Sequence, residues 1–211
     1  MEAMSNPGGA VRMSGEEEAM SRIVIFESLT LDGVYQAPAA ADEDPRDGFV
    51  HGGWAIAYSD EVAGRAAAES MSTTGAILLG RRTYQHFATV WPGRTDNPYS
   101  QVLDNTQKYV VSRTLAAPLE WRNSTRLSTM EEVADLKEKL DKDIVVLGSG
   151  ELVQSLLQAG LVDELILLIH PILLGSGRRL FADGAARADL TLTGSRTTGT
   201  GVVVATYRAD A

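Results

Sequence analysis

The sequence predicts an α/β fold built on a mostly parallel sheet that ends in an antiparallel edge. Three observations carry this expectation. Short apolar runs rich in β-branched residues alternate with helix-like segments, the pattern of strand-helix-strand units. Glycines stand where several of those runs give way to helices. The C-terminal run "ADLTLTGSRTTGTGVVVATYRA" alternates about a Gly-Thr-Gly and reads as a closing hairpin.

In chain order, "RIVIFESL" (22–29) is the first strand, and the Asp-Gly of "TLDGVYQAP" turns the chain out of it. Residues 36–53 are rich in Ala, Asp, Pro and Gly. Loops of that length within a domain are usually functional or mobile. Asp60 is placed to cap a helix "EVAGRAAAESMS", followed by the strand "GAILLG" (75–80) and a short helix "RTYQHFATV". "KYVVS" (108–112) is the next strand. Thr129 and Glu132 then stand in capping-box spacing at the head of "TMEEVADLKEKL". After the strand 143–147, Gly148, Ser149 and Gly150 turn the chain into a helix over 151–159. "DELILLIHPILLG" (163–175) is apolar almost throughout and predicts a strand buried on both faces. A second copy of the chain could supply part of that cover, so a homodimer is expected.

Composition excludes several functions. The 211 residues carry a net charge of −9, which disfavours a nucleic-acid partner. No apolar run approaches the roughly 20 residues that span a bilayer, so no membrane partner is expected. The chain has no cysteine, which removes thiolate chemistry and cysteine metal sites and fits a reducing, cytoplasmic setting. His51, His86 and His170 are too scattered for a zinc cluster, and no metal is expected. Residues 1–21, with a Glu triplet and no apolar periodicity, read as a disordered extension. Residues 22–211 read as one domain.

Three strands in succession end in turns suited to phosphate. Gly148-Ser149-Gly150 opens a helix whose unpaired N–H groups favour an anion, although a tight turn is an equal reading. It is only part of a dinucleotide fingerprint, because Val153 stands where the third glycine would be. "ILLGRRTY" repeats the design and puts Arg81 and Arg82 in a first helical turn, where cations oppose the helix dipole. "YVVSRT" ends in Ser112 and Arg113, a hydroxyl and a guanidinium suited to a phosphate monoester. Ligands of open α/β sheets gather at such strand ends. A ligand with a pyrophosphate and a separate phosphate would use all three, and NADPH is such a molecule.

"ESLTLDG", "ILLGRRTYQHFATVWP", "KYVVSRT" and "IVVLGSGELVQSLLQAGLVDELILLIHPILLGSGRRLF" together resemble the dihydrofolate-reductase-like superfamily. The likeness is nearest to the C-terminal reductase domain of the bifunctional riboflavin-biosynthesis deaminase/reductase and its stand-alone relatives, and covers roughly residues 22–208. It implies a three-layer fold with a central mixed sheet and an NADPH-dependent reductase of a small heterocycle. Carried over, Gly148, Ser149, Gly150, Glu151 and Leu152 hold the pyrophosphate. Gly80, Arg81, Arg82 and Thr83 line the other side of the cofactor, and Ser112 with Arg113 recognise the 2′-phosphate. Asp32 lies in a loop that borders substrate and nicotinamide in this family.

A proton must also reach the substrate, and Asp32, Asp60 and Glu61 are the candidate donors, with an N-cap the favoured reading of Asp60. Trp54, flanked by glycines, either stacks on a flat substrate or anchors its loop. Three reductive readings follow: a ribosylaminopyrimidine reductase, a dihydrofolate reductase, and a relative acting on another pterin, flavin or xenobiotic. The missing deaminase half weighs against the first, and the lack of a clearly placed acid on the substrate helix weighs against the second. A nucleotide-binding protein without turnover is the rival from another class.

Overall fold

The computed structural model describes residues 21–210, apart from 96, 98, 182, 183 and 186. The extension expected over 1–21 lies outside these, except for Ser21, which is buried and donates its hydroxyl to the Lys137 carbonyl.

Eight strands form one sheet: β1 (Ile23–Thr30), β2 (Thr74–Gly80), β3 (Gln107–Val111), β4 (Ser124–Leu127), β5 (Asp143–Leu147), β6 (Glu164–His170), β7 (Leu190–Thr197) and β8 (Val203–Ala209). Their spatial order is β4-β3-β2-β5-β1-β6-β8-β7. The first six run parallel, and β8 and β7 complete the sheet in antiparallel pairing. The helices are α1 (Glu61–Ser72), α2 (Arg81–Val90), α3 (Tyr99–Asn105), α4 (Met130–Lys139) and α5 (Gly150–Gln158).

Strand alternation sorts the core into two faces. Ile23, Ile25, Ala76, Leu78, Ile144 and Val146 pack on Val133 and Leu136 of α4 and on Val153 and Leu156 of α5. The opposite residues of β2, Ile77 and Leu79, pack on Tyr84 of α2 and Leu103 of α3. Further along that second face, Leu168 and Val204 meet Ala66 of α1. The result is a three-layer arrangement, with a mixed sheet between helices.

Two of the helix starts follow the sequence rule. The Asp60 carboxylate accepts the Val62 and Ala63 amides at the head of α1, and the Thr129 hydroxyl accepts the Glu132 amide at the head of α4. The strand expected over 163–175 stops at His170, before Pro171, which has no amide to donate to a ladder. It lies between β1 and β8 in the sheet, with Leu165 and Leu167 buried on one face and Leu168 on the other. β7 is the uncovered element, exposed at every residue. α3 and β4 had no sequence expectation. β4 is a four-residue edge strand with no buried position, too short and polar for periodicity to reveal.

The loop after β1 is pinned and not loose. The buried Gln36 amide donates to the carbonyls of Asp44 and Arg46, and its oxygen accepts the Arg178 amide. Trp54 is buried and donates its indole N–H to the Gln36 carbonyl at 2.8 Å.

Candidate active site

The carboxyl ends of β3, β2, β5 and β1 open onto one cleft of about 1540 Å³. Parallel strands put their carboxyl ends on one side, which gathers the turns that follow them. Gly80, Arg81, Arg82, Thr83, Ser112, Arg113, Gly148, Ser149, Gly150, Glu151 and Leu152 all line this cleft, so the three turns singled out in the sequence are brought together.

Ser149 ties two of the turns. Its hydroxyl lies 2.7 Å from that of Thr83 and accepts the Gly80 amide at 2.9 Å. To reach them it adopts a left-handed backbone, with φ 69°, a conformation that costs a residue with a Cβ roughly 1–2 kcal/mol. Because the hydroxyl is spent on that link, it does not cap α5. α2 begins after Gly80 and likewise has no side-chain cap. Both helices thus direct uncapped N-termini at the cleft, whereas α1 and α4 are capped by side chains.

Gly150 has a local cause. A Cβ there would stand 2.3 Å from the Tyr35 ring, so the glycine lets that ring close over the start of α5. Around it, Glu151 Oε1 meets Arg82 at 3.0 Å, Arg178 at 3.0 Å and Arg46 at 3.4 Å. Arg46 also pairs with Asp44, and Arg178 with Asp47. Tyr35, Arg46 and Arg178 escaped sequence reasoning because they come from two loops that only the fold joins. At the β3 corner, Ser112 accepts the amides of Thr114 and Leu115, which shapes the turn. Arg113 is exposed and lines the cleft.

The proposed proton donors and Trp54 are absent from the cleft lining. Asp32 staples two loops: it accepts the Thr30 hydroxyl at 2.6 Å and the amides of Leu174 and Gly175, and it pairs with Arg179. The Thr30 hydroxyl, with those amides, pulls its carboxyl down to about 2. An acid so held is ionised at neutral pH and has no proton to give. Asp60 is the N-cap of α1 and also accepts the Gly199 amide. Glu61 is exposed in the first turn of α1. Trp54 packs edge-on against His170, with ring centroids 5.0 Å apart, and serves as an anchor of its loop.

Of the carboxyl residues that line the cleft among the described residues, the buried one is Glu27 on β1. It is 4% exposed; its Oε1 accepts the Ser28 amide at 3.1 Å, and its Oε2 is buried without a partner. Burial, opposed by the Ser28 amide, pushes it up to about 8. The signal was present in "RIVIFESL": a period of two puts Glu27 on the face of Ile23, Ile25 and Leu29, where a charged residue is seldom found unpaired.

The family model of the RibD C-terminal domain matches residues 21–204. The uncharacterized protein YyaP of Bacillus subtilis (strain 168) is 31% identical over 190 residues, spanning 88% of this chain and 94% of that protein. Among solved structures, a putative riboflavin biosynthesis protein from Shewanella sp. PV-4 superposes with a TM-score of 0.63 at 21% identity, covering 90% of this chain and 99% of that one. The dihydrofolate reductase of Enterococcus faecalis, solved in complex with NADP(H), gives 0.58 at 14% identity, covering 91% and 98%.

Proposed function

The chain belongs to the RibD C-terminal domain family, a reductase-like family of the dihydrofolate-reductase-like fold, and from that membership we propose that it is an NADPH-dependent reductase of a small heterocycle of pterin, pyrimidine or flavin type. The observation that carries this reading is the pair of uncapped helix starts, α2 and α5, opening on the same cleft and linked by Ser149. Unpaired amides at two helix N-termini suit a pyrophosphate.

The residues present fit the cofactor. Gly148, Ser149, Gly150, Glu151 and Leu152, with Gly80, Arg81, Arg82 and Thr83, would hold the pyrophosphate. Ser112 and Arg113, two strands away, would take the 2′-phosphate. Strands stand about 4.8 Å apart, so β3, β2, β5 and β1 spread the cleft floor over roughly 14 Å, which suits an extended dinucleotide. Phosphate corners on β3, β2 and β5 leave the end of β1 for the reacting ring and the substrate. When bound, the cofactor supplies the hydride; the chain supplies position, a cleft partly closed to water, and a proton.

Titration of NADPH and NADH into the protein tests the reading. Micromolar NADPH binding with much weaker NADH binding supports it, and binding of neither returns the glycine corners to plain turns. The exposed β7 edge, with Leu190 and Leu192 on it, supports a homodimer formed there by a second copy of the chain. A monomeric mass in solution counts against that assembly.

A further inference from the structure

We propose that Glu27 is the acid of this site, holding a proton at the cleft end of β1 and giving it to the nitrogen of a substrate C=N bond; this rests on the reductase reading above. The last pair between β1 and β5 joins Phe26 to Leu147, while β1 stays paired with β6 as far as Thr30. From Glu27 onward, one edge of β1 therefore faces the glycine corner instead of a strand. Glu27 stands at that opening, next to the corner assigned to the pyrophosphate.

Its surroundings are those of an acid that works and not of one that holds the fold together. Asp32 shows how this chain satisfies a structural carboxylate, with a hydroxyl, two amides and an arginine. Glu27 receives one amide, from its own neighbour, and its second oxygen is shielded from water with nothing bonded to it. An unsatisfied buried group in a cleft calls for a ligand. The charged and titratable groups around it are Glu43, whose negative charge raises it further, and Tyr35, with Glu151, Arg46 and Arg178 beyond that ring. β6 brings Leu167 alongside. With no cation against it among the described residues and its Oε2 shielded in the closed site, the carboxyl keeps its proton at pH 7 and that oxygen is an O–H donor.

The step balances simply. Hydride adds to the carbon of the C=N bond, and the π pair moves to nitrogen. The Glu27 Oε2–H bond breaks as the new N–H bond forms, and the carboxylate regains a proton from water that enters the cleft as the products leave. The two electrons come from the reduced dinucleotide, which is oxidised, and the substrate gains two hydrogens. A neutral acid has no pull on a cationic substrate, so the favoured class is an uncharged flat heterocycle presenting an acceptor nitrogen beside the reducible carbon.

The experiment compares the wild type with Glu27→Gln and Glu27→Asp. Infrared titration of the free protein should show a protonated-carboxyl band that disappears near pH 8 and is absent from Glu27→Gln. NADPH oxidation is then followed with dihydrofolate and other C=N heterocycles as acceptors. Glu27→Gln should lower kcat by about 10²-fold or more, leave NADPH affinity within about threefold, and abolish a fall in kcat above pH 8. Glu27→Asp should recover part of the rate. A Glu27 already ionised at pH 7, or a Glu27→Gln enzyme with unchanged rate and pH profile, overturns the proposal. NADPH that binds but is oxidised with none of the acceptors overturns it too, while failure to bind NADPH at all removes the reductase reading itself.

Discussion

The hydroxyl of Ser149 lies 2.7 Å from that of Thr83 and accepts the Gly80 amide, so one side chain fixes the corner after β5 against the corner after β2. Both corners open helices that lack a side-chain cap. Ser149→Ala leaves the Gly80 amide without its acceptor and keeps a Cβ in the left-handed region. A loss of about 1–3 kcal/mol is expected, together with weaker NADPH binding. Ser149→Gly should cost less, because glycine tolerates that backbone, yet weaken NADPH similarly. Denaturant unfolding and NADPH titration of both variants check this; wild-type stability in Ser149→Ala would remove the clamp.

Gly150 and Tyr35 are coupled by shape. The Cβ of an alanine at 150 would fall 2.3–2.7 Å from three ring carbons of Tyr35, so one of the two must move. Alanine gains up to about 1 kcal/mol of helix propensity over glycine, but overpacking costs typically 1–3 kcal/mol. Gly150→Ala should therefore destabilise, and Tyr35→Ala in the same chain should restore part of the loss. A double-mutant cycle by thermal unfolding should give a coupling of at least about 0.5 kcal/mol; additive effects would contradict the packing.

What the sequence made legible follows from how local each signal is. The Asp60 and Thr129 caps, the 143–147 strand and the glycine corners depend on neighbours within a few residues, and the observed elements agree to within a residue or two. That the three glycine and serine corners share one cleft was legible because parallel strands place every carboxyl end on one side. The acid was not, because acidic residues in loops and helix starts resemble candidates by composition alone. Asp32 is consumed by Leu174, Gly175 and Arg179, which are far away in sequence. Glu27 looked like a strand residue, and only the fold shows its second oxygen left bare. Lys108 is a parallel case, fully buried with its ammonium donating to the carbonyls of Leu103, Asp104 and Thr106 around the end of α3.

Asp32 should govern acid stability. Its folded pKa of about 2 lies below the unfolded value of about 3.9. The stabilisation is therefore fully present above about pH 4 and lost as the pH falls toward 2. Asp32→Asn keeps the shape but not the charged acceptor of the Thr30, Leu174 and Gly175 bonds, and should cost roughly 1.5–3 kcal/mol at neutral pH. Unfolding midpoints measured from pH 2 to 6 should fall steeply for the wild type and more gently for the variant. Parallel curves would show that Asp32 is not the titrating staple.

Arg113 should separate the two dinucleotides. It lines the cleft at the β3 corner and carries no ion pair among the described residues, so its guanidinium is available to a phosphate. If that phosphate is the 2′ group, Arg113→Ala weakens NADPH by about 1.5–3 kcal/mol and leaves NADH nearly unchanged. Calorimetric titration of both cofactors reads this directly. Equal losses would move the 2′-phosphate elsewhere.

Glu27 should be a cost to stability as well as a source of protons. Its folded pKa of about 8 lies above the unfolded value of about 4.3, so the native state keeps a proton that the unfolded state releases between those limits. Over that window the unfolded state binds fewer protons, and stability falls as the pH rises toward 8. Glu27→Gln cannot ionise, so it should be more stable than the wild type at pH 7 and flatter between pH 5 and 8, as measured by denaturant unfolding. A buried carboxyl that lowers stability in this way suits a role in the site and not in the fold. Were Glu27→Gln instead less stable at every pH, Glu27 would be an ionised structural group, and the proton would have to come from water.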